Sequence, residues 1–364
     1  MFGVWRTVLA LLVVAFHLLP VPVIGDYAVF AFFVLSGFLM TTIMHETYGY
    51  DGQGLRRYTL NRFLRLYPNY WLTALIALAV IWFCGESFVR TFKPGMYVPR
   101  APHEVLFNAA MFFPSLFPNR VWPRLSPPTW ALTIEITYYI AIGLGVSKTK
   151  SRSLIWLAAS ALYVLATIAL HLPHRYRYGA IPAGSLPFAV GACLYFYKEP
   201  AHRLLDRLRL GLPIVASACV LVLVAFTLAG YLGHANLAAY GIYLDIVCSA
   251  ALLIRLKSDG IKGLPRAVDK LIGDYSYPIY LLHFPLAALA AYLLTRIGLR
   301  PDAAPFALFA LDLVLVAVVA TFMIFMIDPT IEGVRARVRG RRAARPPLFV
   351  TAPVSTPSKS ESLS

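Results

Sequence analysis

The chain has 364 residues, of which 59% are hydrophobic and only 14% charged, and its mean hydropathy is +0.68. A water-soluble domain carries about 45–50% apolar and about 25% charged residues, so this composition excludes one and puts lipid in the place of water as the main solvent. The formal net charge of +16 does not indicate a nucleic-acid binder, because the basic residues are scattered between apolar segments instead of being gathered on one soluble domain with interleaved aromatics.

Windows long enough to cross a bilayer, roughly 17–25 residues, fall at 5–24, 27–44, 67–84, 128–146, 154–171, 180–197, 211–230, 237–255, 275–295 and 306–327. Pro, Gly and charged residues punctuate their ends, as helix stops do. The sequence therefore predicts an all-α, polytopic membrane protein of about ten spans. The first window follows Arg6 and resembles a signal peptide, but no small-residue cleavage site succeeds it and a second apolar run begins at 28, so it is expected to remain as a span.

Loop charge sets the orientation. Arg56, Arg57, Arg62 and Arg65 follow the second span, and Lys148, Lys150 and Arg152 follow the fourth. Lys198, Arg203, Arg207 and Arg209 follow the sixth; Arg255, Lys257, Lys262, Arg266 and Lys270 follow the eighth. Arg335, Arg337, Arg339, Arg341, Arg342 and Arg345 lie after the last. The short loops between carry only Arg175, Arg177, Arg296 and Arg300. Cytoplasmic loops are enriched in Lys and Arg, so both termini are expected in the cytoplasm. The long outer loop 85–127 departs from the pattern with Arg90, Lys93, Arg100, Arg120 and Arg124. Its apolar piece 105–113 is too short to span and is expected either to lie along the interface or to re-enter over a site. A transmembrane domain is expected over 1–330, followed by a basic and then disordered cytoplasmic tail over 331–364.

Ionisable groups inside membrane helices are costly, and each invites a functional reading. Arg6 and His17 are eleven residues apart, which on an α-helix is a rise of about 16 Å and nearly the same face. A donor with a phosphate-bearing head and a long arm could touch both; the plainer alternative is a snorkelling arginine and a packing histidine. In the second span Gly37 permits close backbone approach, by another helix or by a ligand arm. Ser36 beside it is a polar contact that lacks the Gly-x-Ser-x-Gly elbow of a nucleophile.

Arg62 and Arg65 share a face at the inner mouth of the third span, which Pro68 is expected to help start. Their forked guanidiniums suit phosphate, although membrane anchoring accounts for them as well. Trp130 opens the fourth span. Glu135 follows, with Tyr138 and Tyr139 on its face; it could orient a histidine, bind sugar hydroxyls, or simply join helices. Tyr277, Tyr280 and His283 form a stripe on the ninth span that either lines a site or packs. Cys84, Cys193, Cys219 and Cys248 are far apart and read as small apolar residues, and no histidines have metal-ligand spacing.

In order along the chain these residues form Arg-x10-His (Arg6, His17), Phe-Phe-x-Leu-Ser-Gly-Phe (Phe32 to Phe38) and Arg-x-x-Arg-x-x-Pro (Arg62, Arg65, Pro68). Trp-x-Leu-x-x-Glu (Trp130, Leu132, Glu135) and Ser-Tyr-x-x-Tyr-Leu-x-His (Ser276 to His283) complete the set. The set resembles the acyltransferase 3 family of bacterial integral-membrane acyltransferases.

The resemblance implies transfer of an acyl group, often acetyl from acetyl-CoA, to a hydroxyl of a carbohydrate or other exported acceptor, in the bacterial inner membrane. It implies His17 as the catalytic histidine, with Glu135 supporting it or the acceptor. Arg6, Arg62 and Arg65 would engage the CoA phosphates; Ser36 and Gly37 are expected beside the donor, and Trp130, Tyr138, Tyr280 and His283 are expected to line the substrate site. No permanently bound cofactor, metal or nucleic-acid partner is implied; the partners are acyl-CoA, an acceptor and membrane lipid. The last span ends in Asp328-Pro329, where many relatives have a Glu near a Pro. Transfer is either direct or through an acyl-histidine. Three rival readings stay open: a lipid or sugar transporter, a membrane polysaccharide polymerase, and a non-catalytic scaffold. The motifs select no acceptor, acyl chain or oligomeric state.

Overall fold

A computed structural model of the protein describes residues 2–114 and 121–339, and these are helices and connecting loops. The helices are α1 (Gly3–Leu18), α2 (Ile24–Ile43), α3 (Gly52–Cys84), α4 (Glu86–Phe92), α5 (Pro102–Ala110), α6 (Thr129–Gly143) and α7 (Lys150–Ala169). They continue with α8 (Arg175–Tyr178), α9 (Ser185–Arg207), α10 (Leu212–Tyr231), α11 (Ala235–Ser258), α12 (Arg266–Arg296), α13 (Pro305–Phe322) and α14 (Asp328–Val338). Each of the ten sequence windows overlaps a helix. Seven helical runs are long and apolar enough to cross a membrane, whereas α1 is apolar but only 16 residues long.

The boundaries differ instructively. The third window opened at 67, but α3 starts at Gly52, where the Asp51 carboxylate accepts from the Gly54 N–H at 2.6 Å and caps the helix. Pro68 therefore does not start this helix; it lies inside it. A membrane helix tolerates such a proline when its neighbours satisfy the freed backbone. At the other end of the chain, a π-helical turn over Met323–Ile327 carries α13 into α14, so the helical run reaches Val338. The basic residues 341, 342 and 345 and the tail beyond lie outside the described residues.

Two helix pairs set the frame. α1 and α12 run parallel and in register. The Asp269 carboxylate of α12 accepts from the backbone N–H groups of Gly3 and Val4, each at 3.0 Å, and so caps α1 from a neighbouring helix. Thr7 donates to the Ile272 carbonyl at 2.6 Å, and near the far end the His17 ring stacks on His283 with centroids 5.4 Å apart. α2 packs on α9 through glycines. A Cβ at Gly37 would stand 2.2 Å from the Phe188 carbonyl oxygen, and one at Gly191 would stand 2.0 Å from that of Val34. Small residues permit such contact where lipid offers no hydrophobic drive for helices to associate.

The apolar piece of loop 85–127 re-enters the bundle. The last carbonyls of α5 accept from α3 side chains: Asn108 from Tyr70 Oη at 2.6 Å, Ala109 from Trp71 Nε1 at 2.9 Å and Ala110 from Tyr67 Oη at 2.9 Å. Tyr70 lies fourteen residues before the end of α3, which places the tip of α5 about 21 Å below that end. A helix terminus buried in a bilayer needs such partners, because water is absent there. Met111 and Phe113 follow and are fully buried.

Candidate active site

Two cavities lie back to back along α1. The first opens toward the arginine-rich end and encloses about 140 Å³, lined by Arg6, Arg62, Arg65, Ser36, Glu135 and Tyr139 among apolar neighbours. The second lies toward the opposite end and encloses about 320 Å³. Its lining includes His17, Asp26, Lys93, Trp122, Arg124, Trp130, Arg175 and Tyr178. Val29 and Tyr280 line both, so these two side chains form the shared wall. A third cavity of about 610 Å³ meets the second at His17, Lys93 and Phe284, and it is bordered mainly by apolar residues of α1, α4, α12 and α13.

In the arginine cavity, Arg6 is aimed by α12: its Nη2 donates to the Gly273 carbonyl at 2.9 Å. Arg62 Nη2 donates to Asn61 Oδ1 at 3.0 Å, and its Nη1 lies 3.6 Å from Met40 Sδ. Arg65 makes no hydrogen bond or ion pair among the described residues, which leaves its fork available. Glu135 Oε1 accepts from Ser36 Oγ at 2.8 Å and from Tyr139 Oη. The cavity thus presents three guanidiniums over one carboxylate that two hydroxyls already hold.

Sequence reasoning left Glu135 to support either His17 or the acceptor, and in the structure Glu135 and His17 line different cavities. Glu135 faces the arginine cavity while His17 faces the histidine cavity, with the Val29–Tyr280 wall between. The reason is position along the bundle: α6 enters at Thr129, so Glu135 sits past the level of Tyr280, whose Oη donates to the Pro128 carbonyl at 2.9 Å. His17 itself is surrounded by rings, with Phe284 at 4.7 Å, Phe16 at 5.0 Å and His283 beyond. Lys93 Nζ sits 4.2 Å over the Phe284 ring, at the edge of the same group.

The remaining sequence candidates divide. Trp130 lines the histidine cavity and Tyr280 lines both cavities. Tyr138 does not reach them; its Oη donates to the Ile181 carbonyl at 2.9 Å and its ring packs on Trp156 and Phe188. His283 is fully buried behind His17, with Nδ1 3.3 Å from the Ile279 carbonyl. Gly37 faces α9, so of its two possible neighbours the structure selects the helix and not a ligand arm.

A model of the acyltransferase domain matches residues 2–327. The chain belongs to the acyltransferase 3 family. It is also similar to the acyltransferase MdmB of Streptomyces mycarofaciens, 26% identical over 289 residues, which are 73% of this chain and 69% of that protein. No solved structure matches. The protein is therefore a multi-pass membrane enzyme that transfers acyl groups other than amino-acyl groups.

In this acyltransferase 3 member, sequence reasoning missed Lys93 and Arg124. The signal was present: they are among the basic residues by which loop 85–127 broke the loop-charge pattern. The structure folds both onto the histidine cavity, with Arg124 over the rings of Trp122, at 4.7 Å, and Phe113, at 5.3 Å. Asp26 and Tyr178 were missed without any comparable signal, because only the packing of α2 against α8 brings them to that cavity.

Proposed function

We propose that the protein is an O-acyltransferase of the bacterial inner membrane that moves an acyl group, acetyl first among the candidates, from acyl-CoA to a hydroxyl of a carbohydrate or other exported acceptor. The observation that carries this reading is the back-to-back pair of cavities, one rich in guanidiniums and one holding a histidine among rings. Guanidiniums in a confined site suit the phosphates of CoA, because their forks donate two hydrogen bonds to an oxyanion. The positive-inside bias of the charged loops supports a cytoplasmic position for the arginine cavity, on the side where acyl-CoA is made. The pantetheine arm then follows α1 over the rise of about 16 Å between Arg6 and His17 and passes at the Val29–Tyr280 wall.

The acceptor occupies the histidine cavity. His17 takes the proton from its hydroxyl, and the oxygen attacks the thioester carbonyl. The tetrahedral intermediate then collapses, breaking the carbon–sulfur bond, and the CoA thiolate recovers the proton from His17. An imidazole suits this work because its ordinary pKa lies near neutrality. His283, stacked behind His17, positions the ring, and Glu135 orients the arginine cavity through Ser36 and Tyr139.

The test is acyl transfer from radiolabelled acetyl-CoA by membranes carrying the wild type or His17→Ala. The expected result is label on an acceptor only with the wild type. Equal labelling by His17→Ala overturns the assignment of His17, and a chain that moves a solute without labelling any acceptor is a transporter. Mass spectrometry of surface glycans and exported small molecules, with and without the gene, then identifies acceptor and acyl group together.

A further inference from the structure

Beside Arg62 and Arg65 of the arginine cavity lies a second group of arginines, on α14, that the motifs do not include. α14 lies antiparallel along the first half of α3. Asn69 Nδ2 donates to Asp328 Oδ1 at 3.0 Å, and eight residues earlier on α3 Asn61 Nδ2 donates to the Arg335 carbonyl at 3.3 Å. This contact brings Arg335 and Arg339 to the side of α3 that carries Arg62 and Arg65. Asn61 Oδ1 is shared: Arg62 Nη2 donates to it at 3.0 Å and Arg335 Nη2 at 3.2 Å. Two cations on one neutral oxygen repel each other unless an anion is near.

The anion in place is Glu332. Arg335 Nη1 donates to its Oε2 at 2.5 Å, and Arg339 Nη2 is paired with its Oε1. Arg65 also lies within coulombic reach of Glu332, and both Arg65 and Arg62 lie within reach of Arg335. One carboxylate thus serves three guanidiniums, those of Arg335, Arg339 and Arg65. Arg335 is only 9% exposed, and the buried Nε atoms of Arg335 and Arg62 have no partner among the described residues. Membrane anchoring does not explain a buried arginine, since anchoring arginines extend toward headgroups and water. A site with excess, incompletely paired guanidiniums and one half-exposed carboxylate fits a ligand that carries several phosphates.

We propose that α14 completes the phosphate-binding site of the donor, with Arg335 as a further binding residue and Glu332 as a built-in anion that the donor's phosphates displace. The inference rests on the reading of the arginine cavity as the donor site. CoA presents a 5′-diphosphate and a 3′-phosphate, two anionic groups for arginines on two helices. A headgroup phosphate of an anionic lipid shares this chemistry and is the competing source.

The experiment is calorimetric titration of the full-length protein with adenosine 3′,5′-bisphosphate, at fixed ionic strength, in nanodiscs of phosphatidylcholine alone or with phosphatidylglycerol. Glu332→Gln removes the competing anion but keeps the shape, and is expected to tighten binding about tenfold. Arg335→Gln is expected to weaken it by about tenfold or more, the size of one charge-assisted hydrogen bond. Arg335→Lys, which keeps charge without the fork, falls between them. A purely structural ion pair would make both Glu332→Gln and Arg335→Gln weaken binding, so the opposite signs decide. Unchanged or weaker binding by Glu332→Gln overturns the proposal. So does an effect of Glu332→Gln confined to phosphatidylglycerol retention, which would mark a headgroup site. Arg65→Gln separates the two levels: if it leaves nucleotide binding intact, the donor reading itself fails; if it weakens binding while the α14 variants do not behave as stated, only this inference fails.

Discussion

The arginine cavity and the histidine cavity share a wall and little else. The first is walled by regular helix, from α1, α2, α3, α6 and α12, and its chemistry is guanidinium with a single held carboxylate. The second shares α1, α2, α6 and α12 but is closed by loop residues, among them Lys93, Trp122 and Arg124, and its chemistry is aromatic with charges of both signs. On the proposed function, the difference follows from what each would hold. A phosphate-bearing head is the same for every acyl donor of one class, and rigid helices fix its arginines. An acceptor differs from enzyme to enzyme, and loops on a rigid scaffold are where such variation is accommodated.

If the two cavities divide the work in this way, substitutions should separate by side. The largest effect is expected from His17→Ala, which should lower kcat by about 10²–10⁴, the usual contribution of a positioned proton acceptor, and leave the Kd for adenosine 3′,5′-bisphosphate unchanged. A fall in nucleotide affinity would show that the wall does not separate the sites. Next, Arg65→Ala should raise the KM for acyl-CoA by about tenfold to a hundredfold, as one charge-assisted hydrogen bond is worth about 1.5–3 kcal/mol. The KM for acceptor should not move, which steady-state kinetics with both substrates varied will check.

Gly37→Ala provides the control that respects neither side. Its methyl would collide with the Phe188 carbonyl, so α2 and α9 must part, at a cost of about 1–3 kcal/mol. The melting temperature in detergent should fall, and both KM values should rise together. A selective effect on one substrate would place Gly37 in a site after all. The smallest effect is expected at the wall. Tyr280→Ala opens one cavity to the other, so the ratio of thioester hydrolysis to acyl transfer should rise a few-fold as water reaches the donor. Because a ratio cancels the fraction of folded protein, an unchanged value would argue directly against Tyr280 as the partition.

The legible part of the site was the part encoded along one helix. Arg6 and His17 could be placed on one face because helical geometry is local, and Arg62 with Arg65 for the same reason. Their partners across helices were not legible. Which cavity Glu135 lines was not legible, because its level along the bundle depends on where α6 enters. Tyr138 and Tyr139 both sit on the face of Glu135 by spacing, yet only Tyr139 bonds to it. Arg335 looked like one more basic residue beyond the last span until α14 was seen to fold along α3.

By itself the sequence determined that this protein lives in lipid, that it is a bundle of helices, and which residues along each helix bear charge. Those are consequences of composition and of a 1.5 Å rise per residue, and they need no knowledge of neighbours. The tertiary structure alone decided that α1 and α12 run parallel in register, which caps α1 with Asp269, aims Arg6 with Gly273 and backs His17 with His283. Helix order in sequence does not fix such pairings, because in a bilayer every helix is already apolar and only close packing and interhelical hydrogen bonds choose its neighbours.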